Sequence, residues 1–252
     1  MKPTIIYHDN DIIIVNKPSG MLSIPDRFEH NAPNVKRFLQ NQFEEVFTLH
    51  RLDRDTSGIL VFAKNADAHR HISMQFEQHT VEKIYYAIVR GIFEKESLEI
   101  DIPLAPDTVK KGLMKPSARG KESFTKVLLK ERFRVASLME CRPRTGRQHQ
   151  IRVHVAAIGH PMLVDKDYGS IGEFYLSTIK RKFKLAKNTD EKPIISRVPL
   201  HAFALEFIHP GTNLPIRFEA DMPIDMSALL NILRKYAPYQ DFSAISSFDE
   251  WI

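Results

Sequence analysis

Cysteine is almost absent from this sequence, because the chain of 252 residues contains only one, Cys141. A single cysteine cannot form an internal disulfide and is typical of proteins of the reducing cytoplasm, where we expect this one. No run of about 18 apolar residues occurs, so we expect no membrane-spanning helix and no membrane partner. Residues 1–20 also lack a signal peptide, because polar residues interrupt the apolar stretches there.

Motifs for nucleotide and metal binding are also missing. Neither G-x-G-x-x-G nor G-x-x-x-x-G-K-[ST] occurs, so the two common phosphate-binding loops are excluded. The 11 histidines form no H-E-x-x-H pattern, and one cysteine cannot build a typical zinc site. Asp53 and Asp55 have the spacing D-x-D, but two flanking arginines disfavour a divalent metal there. We therefore predict no cofactor and no metal.

The chain is mildly basic, with 36 Lys and Arg against 31 Asp and Glu and a net charge of +5. Residues 110–134 hold nine basic and two acidic residues, and residues 180–187 (KRKFKLAK) form a second basic cluster. Either segment alone is as consistent with a solvated loop as with a binding surface. Several such segments together favour a surface that contacts phosphates. The acidic residues lie elsewhere, for example in residues 241–252.

Apolar periodicity predicts more strands than helices. The predicted strands cover residues 5–7, 12–16, 59–63, 83–91, 123–131, 133–141 and 201–209. The predicted helices lie within residues 32–47, 65–80, 146–161 and 223–238, the last capped by Asp225. Because the strands come in adjacent pairs, we predict an α+β fold with a mixed, mainly antiparallel central sheet and flanking helices.

The segment HRLDRDTSGILVFAK, residues 50–64, places several charged residues directly before a buried strand. The T-S-G sequence ahead of that strand can form a stiff turn, because its hydroxyls can bond the local backbone and glycine permits a close approach. Asp53 would then lie at the edge of a strand, where reactive groups are often presented. Such a carboxylate can act as a nucleophile if a nearby guanidinium keeps it ionised. The alternative is a capping aspartate with Arg51 as its surface partner.

A second segment, RPRTGRQHQIRVH at residues 142–154, supplies four arginines. On a helical wheel Arg152 lies at the border of the buried stripe, which would let it project inward beside the core. Arg147 lies at the preceding turn and would be freer to contact a phosphate. The alternative, in which all four arginines solvate a surface helix, is disfavoured because few acidic residues lie nearby in the sequence.

These segments resemble motifs of a known family, the RluA-type pseudouridine synthases. Besides HRLDRDTSG, the resemblance covers VNKPSGMLSIP (15–25), EKIYYAIVRG (82–91), RTGRQHQIRVHVAAIGHPMLVDKDYG (144–169) and LHAFALEFIHP (200–210). One departure is Val164, where the family usually has glycine. The resemblance implies one catalytic domain over residues 1–252, without an S4-type RNA-binding domain.

The resemblance implies an enzyme that isomerises uridine to pseudouridine in structured RNA, either ribosomal RNA or a tRNA stem-loop. Asp53 would be the nucleophile and Arg152 its charged partner, while Tyr85 would stack on the uracil and assist proton removal from C5. Attack at C1′, elimination through a glycal and attack at C6 stay open. Arg51 resembles the arginine inserted where the target nucleotide is flipped out. The remaining implied substrate contacts are His50, Thr56, Lys83, Arg147, His149 and Gln150.

Three further expectations concern partners and alternatives. Residues 16–31 are similar to the branch that acts on both a large-subunit ribosomal RNA loop and a tRNA anticodon stem. With no obvious coiled coil, we expect a monomer. A glycosidase that pairs Asp53 with Asp55 is disfavoured, because alternate residues of an extended segment point in opposite directions. A non-catalytic RNA-binding module of the same fold is the main alternative, and in it Tyr85 would be an ordinary core aromatic residue.

Overall fold

The structure, a computed structural model, describes residues 2–26, 29, 31–169, 171–185 and 189–240. The acidic segment 241–252 lies outside the described residues, as do parts of the segments 16–31 and 180–187 named above. No helix in the described ranges is long and apolar enough to cross a membrane.

Twelve strands are assigned within the described ranges, more than the sequence pattern predicts. They are β1 (Thr4–His8), β2 (Ile12–Lys17), β3 (Phe47–Thr48), β4 (Ser57–Ala63), β5 (Glu82–Arg90), β6 (Ser97–Asp101), β7 (Leu104–Pro106), β8 (Met114–Pro116), β9 (Phe124–Arg132), β10 (Ala136–Pro143), β11 (Leu200–Ile208) and β12 (Pro215–Glu219). The short strands β3, β6, β7, β8 and β12 were not predicted, because each has five residues or fewer, too short a run for apolar periodicity to mark it.

The helices are shorter than the sequence pattern predicts. They are α1 (Val35–Gln40), α2 (Ala66–Glu77), α3 (Gln150–Ala157) and α4 (Ile224–Tyr236), with one 3₁₀ turn at Leu176–Thr178. In α1 the apolar period continues past the helix end at Asn41, because Val46 packs into the core from a loop. The prediction that Asp225 caps α4 was wrong, since the cap residue is Pro223. The Asp225 carboxylate instead accepts two hydrogen bonds from Arg197, of 2.6 and 2.8 Å.

Ten strands form one sheet in the order β1-β2-β4-β11-β5-β10-β9-β6, with β3 paired to β4 and β12 paired to β11. All of these pairs are antiparallel except β4 with β11, which run parallel. The strands β7 and β8 form a separate hairpin. The predicted α+β class with a mixed, mainly antiparallel sheet is therefore confirmed.

Helices cover both faces of the sheet, which gives it an apolar core on each side. Leu39 of α1 and Val155 of α3 belong to core clusters on one face. Ile72 of α2 and Leu229 of α4 belong to core clusters on the other face. Adjacent strand residues point to opposite faces, so Ile88 of β5 lies in one of these clusters while its neighbour Ala87 lies in a cluster of the first face. Because the central strands are buried on both faces, they read as continuous apolar runs.

Gly58 allows β4 and β11 to approach closely at their short parallel contact, where His201 pairs with Ser57 and Ala202 pairs with Gly58. Its φ angle is +117°, and a Cβ at this position would overlap the backbone of Ala202. The predicted close approach is therefore present. The Ser57 hydroxyl contacts His201 Nδ1 at 3.0 Å rather than its local backbone, so it also joins the two strands.

We expect Gly58→Ala to destabilise the fold by about 3 kcal/mol or more, because steric overlap adds to backbone strain. Gly112→Ala is the matched control: its φ is also positive, at +84°, but nothing lies within 4 Å of a Cβ there. The control should lose only about 1 kcal/mol, the strain alone. Urea unfolding of both variants measures the difference, and equal losses would contradict a steric role for the Gly58 contact.

Candidate active site

Asp53 lies on the loop between β3 and β4, with its side chain 25% exposed. Two cavities meet at this residue, an inner pocket of about 90 Å³ and an outer cleft of about 470 Å³. Both are lined by Arg51, Leu52, Asp53 and His149. A larger cavity of about 820 Å³ lies beyond the far end of β5 and contains none of the predicted site residues.

Hydrogen bonds hold the Asp53 loop on both sides of the aspartate. The Ser23 hydroxyl donates to the carbonyl of Leu52 (2.8 Å) and accepts from the Leu52 N–H (2.9 Å). On the other side the Gly20 N–H donates to the carbonyl of Arg54 (2.8 Å). The Thr56 N–H donates to the Asp53 carbonyl (3.2 Å) and closes the turn. The residue before Asp53 and the residue after it are thus both held by segment 15–25.

Lys17, at the end of β2, is the centre of this arrangement and is fully buried. Its Nζ donates to the carbonyls of Pro18 (3.1 Å), Met21 (2.7 Å) and Arg54 (3.0 Å). Burial lowers the pKa of Lys17 to about 7, and the nearby carboxylates of Asp53 and Asp55 oppose that shift. Three carbonyls match the three N–H bonds of the ammonium form. Sequence reasoning assigned no role to Lys17, although the residue lies within a quoted motif.

His50 has a structural position in the loop. Its Nε2 accepts the Val61 N–H of β4 at 3.1 Å, and its ring stacks on Phe76 of α2 at 4.9 Å. Burial lowers the pKa of His50 to about 3, and the charge of Lys83 adds to the effect. The ring is therefore neutral at physiological pH, and it is not among the residues that line the two cavities.

Strand β5 forms the wall of the inner pocket with Lys83 and Tyr85. Burial raises the pKa of Tyr85 well above its ordinary value, and the charge of Asp53 raises it further. Burial lowers the pKa of Lys83 to about 8, while Glu82 opposes the shift. The Lys83 ammonium donates to the carbonyl of Arg144 at 3.1 Å. Lys83 thereby joins the strand to the loop that precedes α3.

Gln150 organises the loop before α3, which crosses the pocket. Its Oε1 accepts from the Thr145 hydroxyl (2.7 Å) and the Arg147 N–H (2.9 Å). Its Nε2 donates to the Phe124 carbonyl and to the Thr125 hydroxyl, both at 2.9 Å. The buried amide therefore uses its whole hydrogen-bonding capacity inside the protein. Gln150 lines the pocket, but its polar atoms form hydrogen bonds with the loop and the neighbouring strand rather than pointing free into the cavity.

Arg152 projects from α3 into the same pocket and is 6% exposed, in agreement with its predicted inward direction. Its guanidinium binds Asp165 through Nε and Nη2, both at 2.7 Å, and Asp167 at 2.8 Å. Among the described residues no ion pair within 4 Å joins Arg152 to Asp53. Burial alone would lower the pKa of this guanidinium, but Asp165, Asp167 and the more distant Asp53 raise it.

The acidic partners of Arg152 were missed in the sequence because they lie on a loop after α3 rather than beside the arginines. Few acidic residues lie near these arginines in the sequence, but acidic side chains do lie near them in the folded protein, so that expectation was wrong. Arg142 is paired too, with Glu140 at 2.7 Å. These aspartates belong to the segment DKDYG of the fourth motif, but the sequence does not indicate which cation they bind. Only the fold shows that it is Arg152.

His149 is the ionisable group that comes closest to the Asp53 carboxylate among the described ion pairs, with Nε2 3.9 Å from Oδ2. It precedes α3 in a left-handed conformation (φ 54°), unusual for a residue other than glycine. Burial lowers the pKa of His149, and the charge of Asp53 opposes this. The ring is thus held beside the carboxylate by backbone geometry.

Of the remaining predicted residues, Arg51 and Arg147 lie at the rim, whereas Thr56 is buried. Arg51 is exposed and lines both cavities, and Arg147 is half-buried with Nε donating to the Glu122 carbonyl at 3.1 Å. Thr56 is buried at the base of the inner pocket. Asp55 is exposed and lines neither cavity, so the structure does not bring it into the site of Asp53.

One group elsewhere in the described ranges has metal-ligand geometry: Asp9, Asp11 and His209. Its atoms already have protein partners. His209 Nε2 lies 2.8 Å from Asp9 Oδ2, and His209 Nδ1 accepts the N–H of Gly211 at 3.1 Å. Asn65 donates to Asp11 at 3.0 Å. The group ties the β1–β2 turn to the end of β11.

Comparison with known proteins decides the family. Residues 11–157 match the model of the family described as RNA pseudouridylate synthase. The chain is 35% identical over 236 residues to ribosomal large subunit pseudouridine synthase C of Salmonella typhi, an overlap of 92% of this chain and 70% of that protein. The protein of the same name from Escherichia coli strain K12 is 35% identical over 233 residues, 91% of this chain and 70% of that one. The chain belongs to the RluA-type pseudouridine synthases.

Solved structures support the same fold for this pseudouridine synthase. Human RNA pseudouridylate synthase domain containing 1 superposes with a TM-score of 0.69 at 23% identity, covering 98% of this chain and 94% of that one. Human RNA pseudouridylate synthase domain containing 4 gives a TM-score of 0.67 at 22% identity, covering 94% of each chain. At these identities the likeness concerns the fold.

The buried ring of His50 predicts a pH dependence of stability for this synthase. The folded pKa of about 3 lies below the unfolded value of about 6.5, so the unfolded chain binds the extra proton as the pH falls. Stability from this residue is fully present above pH 6.5 and is lost toward pH 3. At pH 5 we expect a loss of about 2 kcal/mol that His50→Gln lacks. Urea unfolding of both proteins at pH 7.5 and pH 5 measures it, and identical losses would contradict the assignment.

Lys17→Met should destabilise the synthase by about 3 kcal/mol or more, because three carbonyls lose their buried donors. Lys111→Met is the control, since Lys111 is exposed, and it should change stability by no more than about 0.5 kcal/mol. Urea unfolding measures both. If Lys17→Met were as stable as the control, Lys17 could not be the centre of the loop arrangement.

Proposed function

We propose that this pseudouridine synthase uses Asp53 as the nucleophile that isomerises a uridine in structured RNA. The observation that carries the proposal is the position of Asp53, whose carboxylate lies on a doubly held loop where an inner pocket meets an open cleft. In the reaction the bond between N1 and C1′ breaks, the uracil turns, and C5 bonds to C1′. The C5 proton is lost and N1 gains one, so atoms balance without a cofactor.

Arg152 lines the inner pocket without a direct ion pair to Asp53, and its charge is already matched by Asp165 and Asp167. Its two aspartate partners fix the guanidinium plane, so its field at Asp53 is constant in direction. His149 is the nearer hydrogen-bond donor, at 3.9 Å. We assign to these two groups the task of orienting the Asp53 carboxylate in a partly buried site.

Tyr85 lines the same inner pocket as Asp53, where a flipped base could stack on its ring. Because burial raises its pKa, the phenol stays protonated at neutral pH and cannot act as a phenolate base. We therefore propose stacking and hydrogen-bond donation as its contribution. Proton removal from C5 then needs another acceptor, which we place at the carboxylate of Asp53 after it has left the sugar.

RNA binding is assigned to the rim. Arg51 is exposed at the mouth of both cavities, where a side chain could fill the gap left by a flipped nucleotide. Flipping costs a few kcal/mol, least for bases in loops. The β7–β8 hairpin packs beside α3 and carries several residues of the basic segment 110–134, which adds a phosphate-contacting surface next to the cleft.

Large-subunit ribosomal RNA is the first substrate class to test, because relatives at 35% identity carry that substrate in their names. A tRNA stem-loop is the second, on the likeness of residues 16–31. The inner pocket is built from one continuous sheet and its helices, which supports a single catalytic domain. We also propose that this domain acts as a monomer.

Asp53→Asn should abolish pseudouridine formation, with a fall of at least about a thousandfold, because the amide is a poor nucleophile of the same shape. RNA affinity should change by less than about threefold. Asp55→Asn is the matched control and should keep activity within about twofold. Pseudouridine is mapped in total RNA and in ribosomal RNA transcripts after incubation with each protein.

Two outcomes would overturn the proposal. Activity in Asp53→Asn equal to the control would remove Asp53 as the nucleophile. A wild-type protein that binds RNA but modifies no cellular RNA would leave the non-catalytic RNA-binding module.

A further inference from the structure

Tyr168, on the loop after α3, links the catalytic pocket to the β7–β8 hairpin. Its hydroxyl lies 3.0 Å from the Met114 N–H of β8 and 2.7 Å from Nδ1 of His149. Its ring meets the His149 ring edge-on, with 5.7 Å between centroids, and lies 4.8 Å from the guanidinium carbon of Arg152. One aromatic side chain thus contacts both groups that surround Asp53 on the α3 side.

The hydrogen bonds of this hydroxyl determine where its proton points. A backbone N–H can only donate, so the Tyr168 oxygen is the acceptor in its contact with Met114. The single hydroxyl hydrogen is then available for His149, whose Nδ1 is the partner at 2.7 Å. In neutral His149 an accepting Nδ1 requires the ring proton to sit on Nε2.

The position of that proton matters because Nε2 faces Asp53. Nε2 lies 3.9 Å from Oδ2 of the carboxylate, so a small approach of either side chain would form an N–H···O hydrogen bond. The opposite tautomer would present a lone pair to a carboxylate, which is repulsive. The other charged groups that act on His149 are Arg152, Asp165 and Asp167.

We propose that Tyr168 is a positioning residue, whose hydroxyl fixes the His149 tautomer that presents Nε2–H to the catalytic carboxylate. The proposal rests on the proposed role of Asp53. His149 has a left-handed backbone, and its imidazole lies between the tyrosine hydroxyl and the carboxylate.

Tyr168→Phe keeps the ring over Arg152 and removes only the hydroxyl. We expect kcat for pseudouridine formation to fall at least about tenfold, with KM for the RNA changed by less than about twofold. Tyr175→Phe is the matched control, since it removes an exposed hydroxyl that bonds Glu173 outside the pocket, and it should retain wild-type kinetics. A Tyr168→Phe enzyme with wild-type kcat would overturn the proposal.

A double-variant cycle separates positioning from a general loss of structure. In His149→Gln the side-chain amide carries N–H donors whatever Tyr168 does, so adding Tyr168→Phe should lower kcat less than about twofold further. If the second substitution still cost about tenfold, Tyr168 would act independently of the His149 tautomer, and the proposal would fail.

Nitrogen-15 NMR of His149 in the RNA-free protein gives a readout that needs no activity. The wild type should show a protonated Nε2 and an unprotonated Nδ1, and Tyr168→Phe should show a mixture of tautomers. A wild-type signal with the proton on Nδ1 would overturn the proposal even if Asp53 is the nucleophile. Conversely, failure of the Asp53→Asn experiment would leave this tautomer assignment measurable, so the two failures are distinguishable.

Discussion

The buried ammonium of Lys17 is the interaction on which the active-site geometry depends. Its three N–H groups donate hydrogen bonds to two carbonyls of the N-terminal motif and to the carbonyl of Arg54, the residue after Asp53. One ammonium therefore links two segments that lie 37 residues apart in the sequence. Placing an ammonium out of water is unfavourable unless its hydrogen bonds are complete, and here they are. Because Ser23 binds the residue before Asp53 in the same way, the loop has little freedom at the point where a carboxylate is needed. The N-terminal motif therefore supports the loop, and its residues from Leu22 to Pro25 also line the outer cleft.

Other residues of the motifs likewise support the site instead of turning their polar atoms toward the cavities. Gln150, Lys83 and His50 belong to motifs that suggest substrate contacts, yet their polar atoms bond to the protein backbone and fix neighbouring loops. Residues that keep polar atoms toward the cavities are fewer, and they include Asp53, His149 and Arg51. In the proposed reaction the uracil rotates within the site. A rigid frame keeps the surrounding protein groups in fixed relative positions while it does so.

Much of the fold could be predicted from the sequence, because long buried strands such as β4 and β5 have continuous apolar runs that few other structures explain. The close approach at Gly58 and the inward direction of Arg152 also followed from local patterns. The extent of α1 could not, since apolar spacing marks burial and Val46 is buried without being helical. The partner of Arg152 could not either, because Asp165 is brought to it by a loop whose path depends on tertiary packing. The sequence also cannot show that the polar atoms of Gln150 all bond to other protein groups, because those partners are known only from the fold.

The pairing of Arg152 with two aspartates also determines what the inner pocket can accept. Arg152 is already matched by Asp165 and Asp167, and the charges of Asp53 and Lys83 oppose each other, so a phosphate would gain little net attraction by entering. An uncharged, flat and hydrogen-bonding group meets no such opposition. The exposed Arg51 and the half-exposed Arg147, by contrast, stand where a sugar–phosphate chain would pass. Under the proposed function, these charges would favour a nucleotide that places its base in the interior and its backbone outside.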